Sequence, residues 1–393
     1  MAQGQLAKQS AEKTQGQSLT DEQQTCASLA ANCNVPDQKA APKQQLLVDR
    51  DRATSNEMRY DWLADRWVII APQRTARPDD FIKRPVQVQS AEECPFCHGR
   101  EDETPEAVAS YSAPGDDSWA VRVVPNKFPA VSAADPGLSF VPKAAPEADE
   151  RIDLFQRREL CGAHEVVIEC PTHLSSLSQL DRQAVQLVFK AYRDRLYHWL
   201  HKEECEYAVL FKNVGQDAGA SLAHSHSQLI ATNHLPNKVS RTIDRMRLFE
   251  EKESTCLHCR MLKDELENEV RIVEQTPDFV AFCPFASRIP FLQTIVPRRH
   301  QAHFELLDDF GLEQLSWLSH RLIRRLENLH PESSYNFVIH TAPSSVRDAS
   351  FYHWRMELFP RLTKLAGFEW GSDCFINPIT PEDAARRIRA AGV

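Results

Sequence analysis

The chain has 393 residues, of which 42% are hydrophobic and 26% charged, with a formal net charge of -9. This is the composition of a globular protein two or three domains long, and an acidic balance without a long basic run argues against nucleic acid as the main partner. No apolar run approaches the roughly 18 residues of a membrane span and no apolar signal core opens the chain, so a cytoplasmic protein with no membrane partner is expected.

Residues 1–56 are rich in Gln, Ala, Ser, Lys and Asp and poor in large apolar residues. Such a segment buries too little surface to offset its conformational entropy, so it is read as a disordered tail in which Cys26 and Cys33 are incidental. Order is expected from about Met58. Trp67–Ala71 reads as a buried strand and leads to Arg74 and Arg77 between two prolines. Arginines just past a strand end suit phosphate or carboxylate recognition, although solvated surface arginines read the same way.

Eleven cysteines, an odd number, do not suggest a secreted disulfide framework. Cys94-Pro-Phe-Cys97 has the spacing of a metal knuckle. A strand at Ala120–Val124 precedes Asn126, and the Pro-, Ala- and acid-rich stretch 132–155 reads as a surface excursion. Glu165–Glu169 is a strand delivering Cys170-Pro-Thr-His173, and Leu180 to about Lys202 has helical apolar spacing. The strand beginning at Tyr207 carries Asn213 and Gly215 into a small-residue loop, and His224-Ser-His226-Ser-Gln228 follows. Residues two apart on a strand share a face, so His224, His226 and Gln228 are expected to line one surface.

The second half repeats this plan. A polar helix near 240–252 precedes Cys256-Leu-His-Cys259, and strands follow at Asp278–Cys283 and Leu292–Val296, the latter delivering His300. A long helix from about Asp309 to Leu329, a strand at Ser334–His340 and the stretch Tyr352–Phe359 with His353 complete it. His173 to His224 is 51 residues and His300 to His353 is 53, the mark of a duplicated domain. Two thiolates and two imidazoles make a tetrahedral zinc site, so Cys94, Cys97, His173 and His224 are expected to hold one zinc and Cys256, Cys259, His300 and His353 a second. Where the first half has His226 and Gln228 the second has Arg355 and Glu357, so one catalytic centre per chain is expected.

A neutral imidazole attacks phosphorus competently near physiological pH and splits a transfer into two displacements. What else the site must supply is positioning and charge stabilisation, for which Ser221, Gln228 and the amides of the Gly215–Gly219 loop are suited. Ordinary loop hydrogen bonding is the plainer account of Ser221 and Gln228. A zinc-stabilised binding module without catalysis, and a hydrolase, are the competing readings.

C-P-F-C, Pro-Thr-His at 171–173, Asn213-x-Gly215, Ser221 ahead of H-x-H-x-Q, and Gly367-Phe368-Glu369 together resemble the galactose-1-phosphate uridylyltransferase family of the histidine triad superfamily. The resemblance runs from about residue 58 to the C-terminus. It implies an α+β fold of two tandem histidine-triad-like halves, 57–235 and 236–393, each an antiparallel sheet covered by helices. It implies ping-pong transfer through a nucleotidyl-His226, of the UDP-glucose:hexose-1-phosphate uridylyltransferase type. By the same match Arg74, Arg77, Asn126, Asn213, Gly215, Ser221 and Gln228 contact nucleotide or phosphate. Phe368 and Glu369 contact the sugar, in the family across a homodimer interface. The chain departs from the family in carrying Ser225 within H-P-H-x-Q and cysteines in the second metal set. Both departures resemble the ADP-glucose phosphorylase branch, which moves AMP onto inorganic phosphate.

Overall fold

Strands form where β-branched and aromatic residues run together, and here those runs build one wide sheet. A computed structural model describes residues 56–76, 91–132, 159–203, 205–346 and 349–392. The expected disordered tail, Arg77 and nearly all of the 132–155 excursion lie outside them. In chain order the strands are β1 (Glu57–Asp61), β2 (Arg66–Ile70), β3 (Ala109–Tyr111), β4 (Val121–Pro125), β5 (Gly162–Ile168), β6 (Tyr207–Val214), β7 (His226–Thr232), β8 (Ile272–Gln275), β9 (Phe279–Phe282), β10 (Gln293–Pro297), β11 (Tyr335–His340), β12 (Arg355–Pro360) and β13 (Phe375–Asn377). The helices are α1 (Arg182–Tyr197), α2 (Asn237–Glu253), α3 (Leu257–Asn268), α4 (Asp309–Leu329), α5 (Gly367–Ser372) and α6 (Pro381–Ala390).

Ten strands pair in the order β3-β4-β5-β7-β6-β11-β12-β10-β9-β8, every neighbour antiparallel. The order is palindromic about the β6–β11 seam. Outward from it, β7 answers β12, β5 answers β10, β4 answers β9 and β3 answers β8. The two halves therefore share one sheet, which the sequence reading assigned as two. At the seam Asn213 faces Asn336 and Lys212 faces Phe337. A small second sheet, β1-β2-β13, lays the C-terminal strand parallel to β2. Helix α5 contacts β13, and β13 pairs with β2, after which the Arg74 turn begins.

One face of the large sheet is covered by the two long helices. Asp181 and Asp308 cap α1 and α4 through their side chains, accepting from the amides of Ala184 and Gly311. Capping satisfies amides that the first helical turn leaves unbonded. Val185, Val188, Phe189, Tyr192 and Leu196 of α1 pack with Leu312, Leu315, Leu322, Ile323 and Leu326 of α4 and with Phe337 and Ile339 of the sheet. The expected helix to Lys202 ends as α-helix at Tyr197 and continues as a π-turn over His198–Lys202. The sequence reading contains no helix at α3, α5 or α6. For α6 the signal was present, since Thr380 caps it and Pro381 opens its first turn.

No helix among the described residues is long and apolar enough to cross a membrane. Phe337 is fully buried where the halves meet, its ring 6.1 Å from that of Tyr192. Phe337→Ala is expected to cost about 3–5 kcal/mol. Denaturant unfolding followed by tryptophan fluorescence and by circular dichroism should show one shifted transition. Two separate transitions would refute a shared sheet that unfolds as one.

Candidate active site and metal centres

The face of the sheet opposite α1 and α4 carries the polar chemistry. Cys94, Cys97, His173 and His224 place four ligand atoms within 4.8 Å of one another, and so do Cys256, Cys259, His300 and His353. In the first set His224 Nδ1 is 3.5 Å from both sulfurs and His173 Nδ1 is 3.5 Å from Cys97 Sγ. Tetrahedral zinc with ordinary bond lengths sets sulfur and nitrogen about 3.6 Å apart, so the donor set and its spacing fit that ion. His224 Nε2 lies 2.9 Å from the Cys170 carbonyl and must donate to it, which turns an unprotonated Nδ1 toward the sulfurs. His353 Nε2 makes the equivalent bond to the Pro297 carbonyl at 3.1 Å.

Burial pulls the His224 imidazole down to about 4, so the ring is neutral at physiological pH. Burial, then the neighbouring Cys94 sulfur, pushes Cys97 up to about 11. A bound cation supplies the positive charge that such a pair of thiolates requires. In the second set a hydrogen bond from Cys259 pulls the Cys256 thiol down against the opposing effect of burial.

His226 opens β7, and His224 lies just before the strand. The expected alternation holds across this junction. Ser225 and Ser227 turn to the helix face and donate to Glu169 at 2.5 Å each. Lys212 Nζ donates to Glu169 at 2.5 Å, to Ser225 Oγ at 3.0 Å and to the His226 carbonyl at 3.0 Å. Tyr192 also donates to Glu169 and meets Ser227 Oγ at 2.7 Å. Burial pushes the Glu169 carboxyl up, but Lys212 and the serine hydroxyls outweigh it and hold the pKa below its ordinary value.

On the opposite face, His226 Nδ1 donates to the His224 carbonyl at 2.7 Å. A nitrogen bonded to a carbonyl carries the proton, so Nε2 holds the lone pair. Burial lowers the His226 pKa further, which keeps the ring neutral. Gln228 Oε1 lies 2.8 Å from His164 Nε2. His164 Nδ1 accepts from the Ala130 amide at 3.1 Å, so Nε2 is the donor and the Gln228 amide group turns its N–H bonds away from His164. Asn126 Nδ2 packs 3.1 Å from the same ring nitrogen.

Asn213 is the next residue past the Lys212–Ser227 pair, which sets it beside His226. Its Oδ1 accepts from Asn336 at 2.8 Å. Gly215 has φ +80°, and a Cβ there would stand 2.2 Å from Ser334 Oγ, so the loop requires glycine. Ser221 is exposed on that loop, Arg74 sits half-buried in the turn after β2, and Phe368 and Glu369 lie on α5. Among the described residues no hydrogen bond ties any of these four to His226. Glu369 instead accepts from the Ala366 amide at 3.0 Å. The sequence reading missed Glu169, Lys212, Tyr192, His164 and Asn336. In the second half Glu357 is held by Arg288 at 2.7 Å and by Arg355 at 3.3 Å, and no imidazole occupies the place of His226.

Residues 45–236 match the family described as galactose-1-phosphate uridyl transferase, N-terminal domain, and residues 174–391 match a domain of unknown function, DUF4921. An ADP-glucose phosphorylase of Arabidopsis thaliana is 34% identical over 85% of this chain and 93% of its own length. A galactose-1-phosphate uridylyltransferase of Thermotoga maritima is 29% identical over 86% of this chain and 99% of its own. The crystal structure of an Arabidopsis thaliana ADP-glucose phosphorylase with bound ADP-glucose superposes with a TM-score of 0.71, at 31% identity over 86% of this chain and all of that one.

Lys212→Met leaves the Glu169 carboxylate buried and unpaired, and is expected to cost about 3–5 kcal/mol. Thermal unfolding should show the loss, and Lys212→Met/Glu169→Gln should recover most of it. A double variant no better than the single would overturn this account of the network.

Proposed function

The chain belongs to the galactose-1-phosphate uridylyltransferase family, and from that membership and the geometry at His226 we propose that this nucleotidyltransferase moves a nucleoside monophosphate from a nucleotide-sugar in two displacements. The observation that carries the reading is the 2.7 Å bond from His226 Nδ1 to the His224 carbonyl, which leaves Nε2 unprotonated. In the first displacement Nε2 attacks the α-phosphorus, a P–N bond forms, and the P–O bond to the departing sugar-1-phosphate breaks. The imidazole gains positive charge as it does so, and the His224 carbonyl faces the proton that carries it. The leaving phosphate departs as a stabilised anion and needs little proton assistance. In the second displacement an oxygen of the acceptor attacks the same phosphorus and the P–N bond breaks.

Charge on the non-bridging oxygens falls to the Gln228 amide, to Asn126, Asn213 and Ser221, and to the Gly215 loop amides, with Arg74 and Arg77 at the phosphates. Phe368 and Glu369 take the sugar. Phe368 and Trp370 are 50% and 76% exposed on α5, which suits a surface covered in a homodimer. Zinc in each Cys2His2 set would be structural, since four protein ligands leave no open position. Its effect on the reaction is to hold His224, and through it the carbonyl that orients His226.

Two versions of the transfer share this machinery. The higher identity to an ADP-glucose phosphorylase and the second cysteine-containing set favour AMP transfer from ADP-glucose to phosphate. The H-x-H-x-Q family plan also accommodates UMP transfer from UDP-glucose to a hexose-1-phosphate.

Intact mass after mixing with ADP-glucose or UDP-glucose, acceptor withheld, should show an AMP or UMP adduct, and peptide mapping should place it on His226. Discharge of AMP by phosphate supports the phosphorylase version, and discharge of UMP by galactose-1-phosphate the uridylyltransferase version. His226→Ala should form no adduct and lose activity on the order of 10⁴-fold or more. An adduct on another residue, or none with either donor, would refute the proposal. Cys97→Ser should lose one tightly held zinc by elemental analysis and slow adduct formation, whereas an unchanged zinc content would remove Cys97 from the set.

A further inference from the structure

Five carboxylates among the described residues are buried: Glu165, Glu169, Glu265, Glu305 and Glu357. Four are paired with a permanent cation: Arg195 on Glu165, Lys212 on Glu169, Arg271 on Glu265, and Arg288 and Arg355 on Glu357. Around Glu305 the described ion-pair partners are imidazoles only. His201 Nε2 and His303 Nδ1 stand 3.0 and 2.9 Å from the same oxygen, Oε1. The other oxygen accepts from the Thr341 hydroxyl at 2.5 Å. A buried carboxylate without compensating charge is costly. Either one imidazole carries a proton or a cation completes the group.

We propose that His201, His303 and Glu305 form a third divalent-metal site, separate from the two cysteine-containing sets. Their donor atoms lie within 4.8 Å of one another. Two imidazoles and one carboxylate suit zinc and similar borderline ions, whose ligand atoms stand about 3.4 Å apart. The two nitrogen-to-oxygen distances, 3.0 and 2.9 Å, reach that spacing by widening about 0.4–0.5 Å. Thr341 would hold the non-ligating oxygen, and its own hydroxyl is fixed by the Phe304 amide at 3.0 Å. Such a partner orients a ligating carboxylate. Three protein ligands leave a coordination position open. The cluster reaches solvent through His201, whose side chain is 18% exposed while that of Glu305 is 0% exposed.

The ligands come from both halves. His201 sits on the π-turn that ends α1, and such turns are rare and recur at functional sites. His303 and Glu305 follow His300 of the second half at a short 3-10 turn. The ion would therefore clip the end of the first-half helix to the second half, with a coordination position left for water or a small anion.

The test is a cobalt(II) titration of the full-length protein after both cysteine-containing sets have been filled with zinc. The expected result is one further equivalent, read as weak visible d–d bands without thiolate-to-cobalt charge transfer. His201→Ala and Glu305→Gln should each lose that equivalent while zinc content stays unchanged. No further equivalent in the unsubstituted protein would overturn the site and leave an imidazolium as the counter-charge. An equivalent that survives both substitutions would overturn it as adventitious surface binding. Should Glu305→Gln fail to fold, the partly exposed His201→Ala variant decides alone.

Discussion

One hydrogen bond, from His226 Nδ1 to the carbonyl two residues earlier, decides what this site can do. It selects the tautomer, and the tautomer decides which ring nitrogen holds the lone pair. The carbonyl is useful only if it cannot turn away. On one side of the motif the Cys170 carbonyl and the sulfur pair locate the His224 ring. On the other side Glu169 gathers Ser225, Ser227, Lys212 and Tyr192. Glu169 and Cys170 are neighbours at the end of β5, so a single strand terminus braces the motif from both faces.

The duplicated half shows what happens when one part of this arrangement is dropped. His353 repeats the orientation of His224 and bonds the equivalent carbonyl. Two residues later, however, the side chain is Arg355, and its charge is met by Glu357, which also holds Arg288. Arginine stays protonated and offers no lone pair, so the copy has no nucleophile at this position. The Cys2His2 frame and the H-x-H pair are thus separable, and only the first half keeps both.

Much of this was legible in the residues. The two Cys2His2 sets could be read because two cysteines and two histidines recur in the same order, and the long helices because their apolar residues keep helical spacing. The brace under His226 could not be. Lys212 sits inside an apolar strand and Glu169 at the end of another, and nothing local indicates that they meet across 43 residues. His164 was hidden for a related reason, since one polar residue in an alternating strand reads as solvent-facing. The shared sheet left no trace because β6 and β11 show the same apolar pattern whether each ends a half-sheet or pairs with the other. Helix α3 starts at the residue after Cys256, so its first turn coincides with the C-x-x-C spacing and reads equally as a metal knuckle.

The palindromic strand order has an implication for descent. In a single half, β6 or β11 would be a bare sheet edge offering unpaired amides to any passing strand. Two identical halves meeting edge to edge would satisfy each other through an isologous, two-fold interface, the commonest way small proteins self-associate. Joining the copies in one chain makes that association independent of concentration. It also lifts the requirement that both copies stay alike. The asymmetry between His226 and Arg355 is the freedom that a covalent dimer has and a symmetric one lacks.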